Sequence, residues 1–394
     1  MKESSFAFDF GALARFTYKQ WFKSRGTPYR LSPKRLGIVL LTYFLYTTIE
    51  LVNWIGLALD TLLFPDFRQV ELHEPVYIIG NPRSGTTFLH RLLARDERTF
   101  STMRTWEILV APSITMRRVL WGLSALDKRL GSPAARYLGM VEEGWKENPV
   151  HRIAMRAPEE DEYLLVHILS CLKVWSYAGM LDEAAPYTYF DSRIPEEDKH
   201  RIMTYYARCL QRHLYAHAHG HKRYLAKDPN FSAHVDTLYR YFPDVRIIYL
   251  VRNPLDMVPS FISLKENEWQ LLGDPEEVYA SRDYVLDAAR HWYNYPLERL
   301  EQAPHDSYIV VNFDDLVGDA RGTVRRIYDH FGLEIDPAFD DTLRKATVRA
   351  RNHESGHEYS LQKMGLTRDQ IVTMYRDVFE RFGFDAREPW SPEG

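Results

Sequence analysis

The stretch VYIIGNPRSGTTFLHRLLAR, residues 76–95, constrains this chain more than any other. An apolar run rich in β-formers enters a turn bracketed by Gly80 and Gly85, and an amphipathic helix leaves it. Two glycines with four residues between them, followed by Thr86 and Thr87, have the spacing of a phosphate-binding loop. The backbone N–H groups of such a turn and the first turn of its helix point together at an anion. Loops that hydrolyse nucleoside triphosphates carry a lysine directly after the second glycine, where it reaches the β- and γ-phosphates. Here that position is Thr86, and the cation sits inside the loop as Arg83. The sequence therefore predicts a phosphate cradle adapted to chemistry other than ATP hydrolysis.

The rest of the chain alternates between strand and helix signals. Short buried strands are predicted at Arg223–Ala226, Val245–Val251 and Tyr308–Phe313. A helix over 201–219 is stopped by Gly220, and Ser232 is placed to cap a second helix bearing Val235, Leu238 and Phe242. A third presents Val324, Ile327, Tyr328 and Phe331, and a last one runs from Ile371 through Phe382 to Gly383. Residues 100–165 read as mostly helical. This pattern predicts an α/β fold: a P-loop-type parallel sheet covered by helices on both faces, with an N-terminal hydrophobic helical extension. Ligands of such sheets bind beyond the carboxyl ends of the strands. The glycine loop, Lys227 and Arg252 all fall there. Two units are expected, an extension over 1–70 and a catalytic domain over 71–394.

The extension opens MKESSFAFDF and delays its apolar run to Leu36–Phe64, which does not match a cleavable signal peptide. That run is long enough to span a bilayer. Glu50, Asn53 and Asp60 interrupt it at helical spacing with Tyr43, Tyr46 and Thr47, giving a greasy helix a polar stripe. Lys19, Lys23, Arg25, Arg30, Lys34 and Arg35 precede it. An interfacial helix lying on a membrane surface accounts for both features, with single-pass anchoring and a helix packed against the catalytic domain as the alternatives. A net charge of −4 argues against a general nucleic-acid binder. Two cysteines, Cys171 and Cys209, supply neither a disulfide framework nor a four-cysteine zinc site, and fit a cytoplasmic chain.

Arg252 and Ser260, in VRNPLDMVPS, straddle a strand-to-helix turn and suit a second phosphate. The strand before them ends in arginine, whereas magnesium-dependent phosphoryl transfer wants an acid there. A nucleotide with two separate phosphates, used without metal, fits better. His213, His217, His219 and His221 cluster in HLYAHAHGH, but no neighbouring cysteine or acid completes a zinc set, and they read as a solvated helix end.

PRSGTT (Pro82–Thr87), TWE (Thr105–Glu107), PEEDE (Pro158–Glu162), AKDP (Ala226–Pro229), RNPLDMVPS (Arg252–Ser260) and HEYSLQKMGL (His357–Leu366) occur in that order. The set resembles the sulfotransferases that use 3′-phosphoadenosine 5′-phosphosulfate (PAPS), a broad bacterial-type subgroup similar to the tyrosylprotein-sulfotransferase-like branch, over about residues 74–384. The resemblance implies PAPS as cosubstrate and no metal. It implies that Arg83, Ser84, Gly85, Thr86 and Thr87 hold the 5′-phosphosulfate, while Arg252 and Ser260 hold the 3′-phosphate. Arg83 and Lys227 would neutralise charge on the transferring group. Glu107 would take the acceptor's proton, with His151 in reserve. The aromatic content, including Trp106, Trp121, Trp145 and Trp175, and the nearby greasy segment point to a hydroxyl on a lipid or other hydrophobic acceptor. The rival readings are an atypical P-loop kinase and a noncatalytic membrane-attached nucleotide-binding protein.

Overall fold

Apolar runs at the predicted strands meet as one parallel sheet in the computed structural model, which describes residues 7–145, 155–217, 220–275, 277–351 and 360–386. The strands are β1 (Val76–Gly80), β2 (Phe100–Ser101), β3 (Arg223–Lys227), β4 (Arg246–Val251) and β5 (Tyr308–Asn312), in the order β2-β3-β1-β4-β5. All neighbours are parallel, and Ile78 pairs with Lys227 on one side and Ile248 on the other. Side chains alternate between two cores, as a sheet buried on both faces requires. Tyr77, Ile79, Tyr249 and Val251 enter one core; Val76, Ile78, Ile248 and Leu250 enter the other. The glycine loop thus leaves the central strand, with the ends of β3 and β4 beside it.

Local details depart from the sequence reading. Strand β2 lies inside the stretch expected to be helical; at two residues it is too short to show a period. Ser232 is not a helix cap. It sits in a 3₁₀ turn, Pro229–Ala233, where its hydroxyl accepts the Gly80 N–H at 3.0 Å, and the next helix starts at Val235. The last predicted helix is two, Arg368–Met374 and Arg376–Phe382, divided at Tyr375.

The N-terminal helices are α1 (Phe10–Phe22) and α2 (Pro33–Leu63). Ser32 accepts the Arg35 N–H and Pro33 sets the first turn, so the start of α2 is capped locally. Glu50, Asn53 and Asp60 of its polar stripe are buried and Tyr43 and Tyr46 half-buried, while Thr47 is exposed. The Asp60 carboxylate accepts the N–H groups of Ile114 and Thr115, the Thr115 hydroxyl and Arg212 Nε at 2.7–3.1 Å. Gly56 lets α2 approach the helix Ile114–Arg129: a Cβ there would stand 2.4 Å from Oγ of Ser113, the residue that caps it. Further along, Glu50 Oε1 is 2.5 Å from His167 Nδ1, and His167 Nε2 is 2.7 Å from the Ile108 carbonyl oxygen. Both partners are acceptors, an arrangement that favours a proton on each ring nitrogen, and the Asn53 amide lies 3.3 Å from the same Nδ1. The opposite face of α2, including Leu40, Leu41, Phe44, Leu45, Ile55 and Leu62, is exposed. Most of the basic flank is spent within the chain: Lys19 pairs with Asp182 and Glu183, Arg30 with Asp274, and Lys34 and Arg35 bond carbonyl oxygens. Phe8, Ala12 and Tyr29 belong to the larger core.

Burial opposes charge on His167, but Glu50 outweighs it and raises the histidine's pKa. A raised folded value stabilises fully below the ordinary histidine range and is lost as pH climbs through the folded value. The thermal midpoint is therefore expected to fall as pH rises from about 6.5, and Glu50→Gln to flatten that profile. An equally steep fall in Glu50→Gln would remove this ion pair as its cause.

Candidate active site

The loop after β1 is shaped for an anion. Arg83 and Gly85 both have positive φ, 69° and 87°, and Gly85 precedes helix α3 (Thr86–Leu93). A Cβ on Gly85 would meet the Phe313 ring at 2.8 Å, so only glycine fits the turn as packed. The buried Ser84 hydroxyl has no hydrogen-bond partner among the described residues. Thr87 is exposed, with its hydroxyl 3.3 Å from Lys227 Nζ at the end of β3.

Lys227 is held by the acidic PEEDE run. Its Nζ bonds Glu160 Oε1 at 2.7 Å, and its backbone carbonyl accepts the Asp161 N–H at 3.2 Å. Glu160 also reaches the buried Lys173, 3.0 Å away, and Lys173 in turn bonds Glu162 and Asp228 at 2.9 Å each. Asn230, the asparagine of an N-F-S triplet, is buried and donates to Glu162. The two sequence motifs thus meet directly, and Lys173, which neither contains, links them a second time. Burial pushes the neighbouring Asp161 carboxyl up to about 7 despite its bond from the Tyr206 hydroxyl.

Arg252 leaves the end of β4 and stacks on Phe313, its guanidinium carbon 4.2 Å from the ring centre. It donates to the Arg83 carbonyl oxygen at 2.9 Å, and its buried Nε is unbonded. Arg83 Nε donates to Ser260 Oγ at 2.9 Å. Arg83, expected from the sequence to act on the transferring group together with Lys227, thus contacts Ser260 through its side chain and Arg252 through its carbonyl. No ion pair links Arg252 to Asp256 among the described residues.

Glu107 is held by a different set of groups. One carboxylate oxygen accepts the Arg104 N–H at 2.8 Å, and the other lies 2.6 Å from His217 Nε2, 3.7 Å from His213 and 3.8 Å from Arg117. Burial would raise its pKa, but His213, His217 and Arg117 together hold it well below the usual carboxylate range. Its described contacts do not reach Arg83 or Lys227. The helix-end histidines are therefore not simply solvated: His213 is buried, and Glu107 joins His213 and His217 with ligand atoms within 4.8 Å. Arg117 Nη1, 2.9 Å from His213 Nδ1, already puts a cation in that group. His151, His219 and residues 357–359 lie outside the described residues.

A cradle at the head of the central strand, with cations from two neighbouring strand ends, defines a recognisable lineage. Residues 75–337 match the model of the sulfotransferase family. The chain belongs to that family. It is 24% identical over 363 residues to the omega-hydroxy-beta-dihydromenaquinone-9 sulfotransferase Stf3 of Mycobacterium tuberculosis, covering 88% of this chain and 84% of the relative. Among solved structures, sulfotransferase STF9 from Mycobacterium avium superposes with a TM-score of 0.67 at 18% identity, covering 83% of this chain and 81% of that one. Sulfotransferase STF1 from Mycobacterium tuberculosis gives 0.60 at 23%, covering 80% and 79%. These two share the fold.

Sequence reasoning quoted PEEDE as a motif but did not single out Glu160, and it missed Lys173 and Phe313. An acidic run directly linked to a strand-end lysine is invisible without the fold, since 67 residues separate Glu160 from Lys227. Lys173→Met would leave Glu162 and Asp228 buried without their cation. It is expected to cost about 3–5 kcal/mol of stability, the usual penalty for breaking a buried pair. Urea unfolding measures this, and a change within about 0.5 kcal/mol, the range of an ordinary surface substitution, would show the network to be dispensable.

Proposed function

We propose that this sulfotransferase uses PAPS and moves its sulfuryl group to a hydroxyl on a hydrophobic acceptor. The acceptor oxygen attacks sulfur, and the sulfur–oxygen bond to the 5′-phosphate breaks. The electron pair leaves with adenosine 3′,5′-bisphosphate, and the hydroxyl proton passes to a carboxylate. The observation that carries the reading is one anion cradle with two cationic flanks. Lys227 and Thr87 stand on one side, and Arg83, Arg252 and Ser260 on the other. The first flank suits the phosphosulfate, where charge moves during transfer; the second suits the 3′-phosphate, with Phe313 backing Arg252. The Ser84 hydroxyl and Arg252 Nε have unused hydrogen-bonding capacity for those oxygens. No metal enters the proposal, because β4 delivers Arg252 where a metal-binding acid would stand.

Glu107 is the proposed general base, acting with His217. Glu160 is the second candidate, favoured by its direct bond to Lys227. The mycobacterial relative's name, which specifies a menaquinone-derived acceptor, supports a hydrophobic one here. We also propose that residues 1–70 form a membrane-facing extension of a catalytic domain over 71–394, on the cytoplasmic side. Helix α2 has the length and apolarity to cross a membrane. Crossing would strip Glu50, Asn53 and Asp60 from their partners, whereas lying on the surface keeps them and buries the exposed leucines.

Arg252→Ala is expected to weaken adenosine 3′,5′-bisphosphate binding by about 1.5–3 kcal/mol, the range for a hydrogen bond to a charged group. Binding of the nucleotide lacking the 3′-phosphate should stay unchanged in the same titration; equal losses for both would place Arg252 elsewhere. Glu107→Gln should retain nucleotide binding while turnover of sulfur-labelled PAPS falls about 10²-fold or more, as for a lost general base. If Glu160→Gln shows that fall and Glu107→Gln does not, Glu160 is the base. Turnover should survive magnesium chelation.

A further inference from the structure

A cavity of about 350 Å³ lies between α1 and α2 on one side and the helices Tyr163–Val166 and Leu172–Ala178 on the other. Its volume falls in the range of small-molecule sites. The wall is almost wholly apolar, with Phe16, Ile38, Val39, Leu109, Val166 and Val174 among its residues. Three features distinguish it from a packing defect. First, Lys173 lines it, and Lys173 Nζ is 3.0 Å from Glu160, which bonds Lys227. Two side chains therefore connect the cavity to the cation at the glycine loop. Second, Thr42 lines it and is exposed, with Leu41 and Leu45 of the apolar α2 face beside it. The cavity thus reaches the surface next to the leucines that a bilayer would cover. Third, Arg35 lines it and is 4% exposed. Its Nη groups donate to the Leu272 carbonyl and the Gln20 side chain, but the buried Nε has no hydrogen-bond partner among the described residues. Among the described residues no carboxylate pairs with this guanidinium. A buried donor without a partner, in an otherwise oily wall, is costly until an oxygen meets it.

We propose that this cavity is the acceptor site, and that it takes the apolar stem of a bilayer-resident amphiphile with a terminal hydroxyl. The inference rests on the sulfuryl-transfer reading above and specifies its acceptor. The amphiphile enters sideways beside Thr42, sets an oxygen acceptor along its stem against Arg35 Nε, and presents its hydroxyl past Lys173 toward Lys227. The hydroxyl oxygen then bonds to the sulfuryl sulfur, its proton passes to the base, and adenosine 3′,5′-bisphosphate leaves. A soluble acceptor needs neither an oily stem site nor a mouth on a greasy helix face.

The test uses the full-length protein with phosphatidylcholine vesicles carrying a long-chain hydroxy ketone, the matching plain long-chain alcohol, or, in solution, phenol. Binding of the hydroxy ketone is followed without PAPS by displacement of a fluorescent fatty alcohol, and transfer by sulfur-labelled PAPS. Val174→Phe, which fills the cavity, and Thr42→Trp, which blocks its mouth, should each reduce binding and transfer for the hydroxy ketone about tenfold or more, the scale on which pockets discriminate side-chain volume. Adenosine 3′,5′-bisphosphate binding and transfer to phenol should match wild type, which also reports that both variants fold. Arg35→Met should abolish the preference for the ketone over the plain alcohol. Undiminished hydroxy-ketone binding in both cavity variants would overturn the proposal, as would transfer to phenol by a wild-type protein that binds neither lipid probe. Failure of wild type to bind adenosine 3′,5′-bisphosphate would instead overturn the underlying PAPS reading.

Discussion

The buried charge network around Lys173 is the interaction on which the site depends. One ammonium group faces Glu160, Glu162 and Asp228, and through Glu160 it positions Lys227 at the glycine loop. Burying so many charges is unfavourable for each alone. It is tolerated because almost every oxygen finds a donor: Leu172 N–H and Asn230 serve Glu162, and Asn230 N–H and Glu162 N–H serve Asp228. Burial also raises the Asp228 carboxyl above its usual range, with Lys173 opposing the shift. A network satisfied this fully holds a side chain in one place, which suits a cation meant to meet a moving negative charge.

A second constraint acts on the N-terminal helices. In an ordinary surface helix the apolar face turns to the core and the polar face to water. In α2 the order is reversed: Glu50, Asn53 and Asp60 are buried and the leucines are exposed. Hydrogen bonds and ion pairs to His167, Thr115 and Arg212 hold the helix, because few apolar contacts are available on the inward side. This arrangement leaves an oily surface joined to an oily cavity, and Lys173 lines that cavity. The acceptor proposal draws on that continuity.

Much of the fold was legible because it is written in local patterns. The run from Val76 to Leu93 carries its strand, its glycine turn and its helix in consecutive residues, and β3, β4 and β5 appear within a residue or so of their predicted ends. Arg252 and Lys227 were legible as cations at strand ends, and Ser260 as a hydroxyl in the helix after one of them. The division of labour among them was not: Arg83 leans on Ser260, a choice made by the positive-φ turn and the position of the helix Pro254–Leu272. Glu107 was picked out from TWE, but its surroundings come from the helices Thr105–Leu109, Ile114–Arg129 and Glu196–Ala216, which no local pattern relates.

The amino-acid sequence by itself determined the parallel α/β class, the anion-binding turn, and the presence of a greasy helix with a polar stripe. Periodicity, glycine placement and charge are local properties, and they survive without knowledge of partners. Only the tertiary structure decided which way that stripe faces, that Glu160 and Lys173 stand behind Lys227, and that a cavity opens between the extension and the catalytic body. Each of these depends on groups far apart in the chain, and the free energy of burying a charge is set by its neighbours rather than by its own identity.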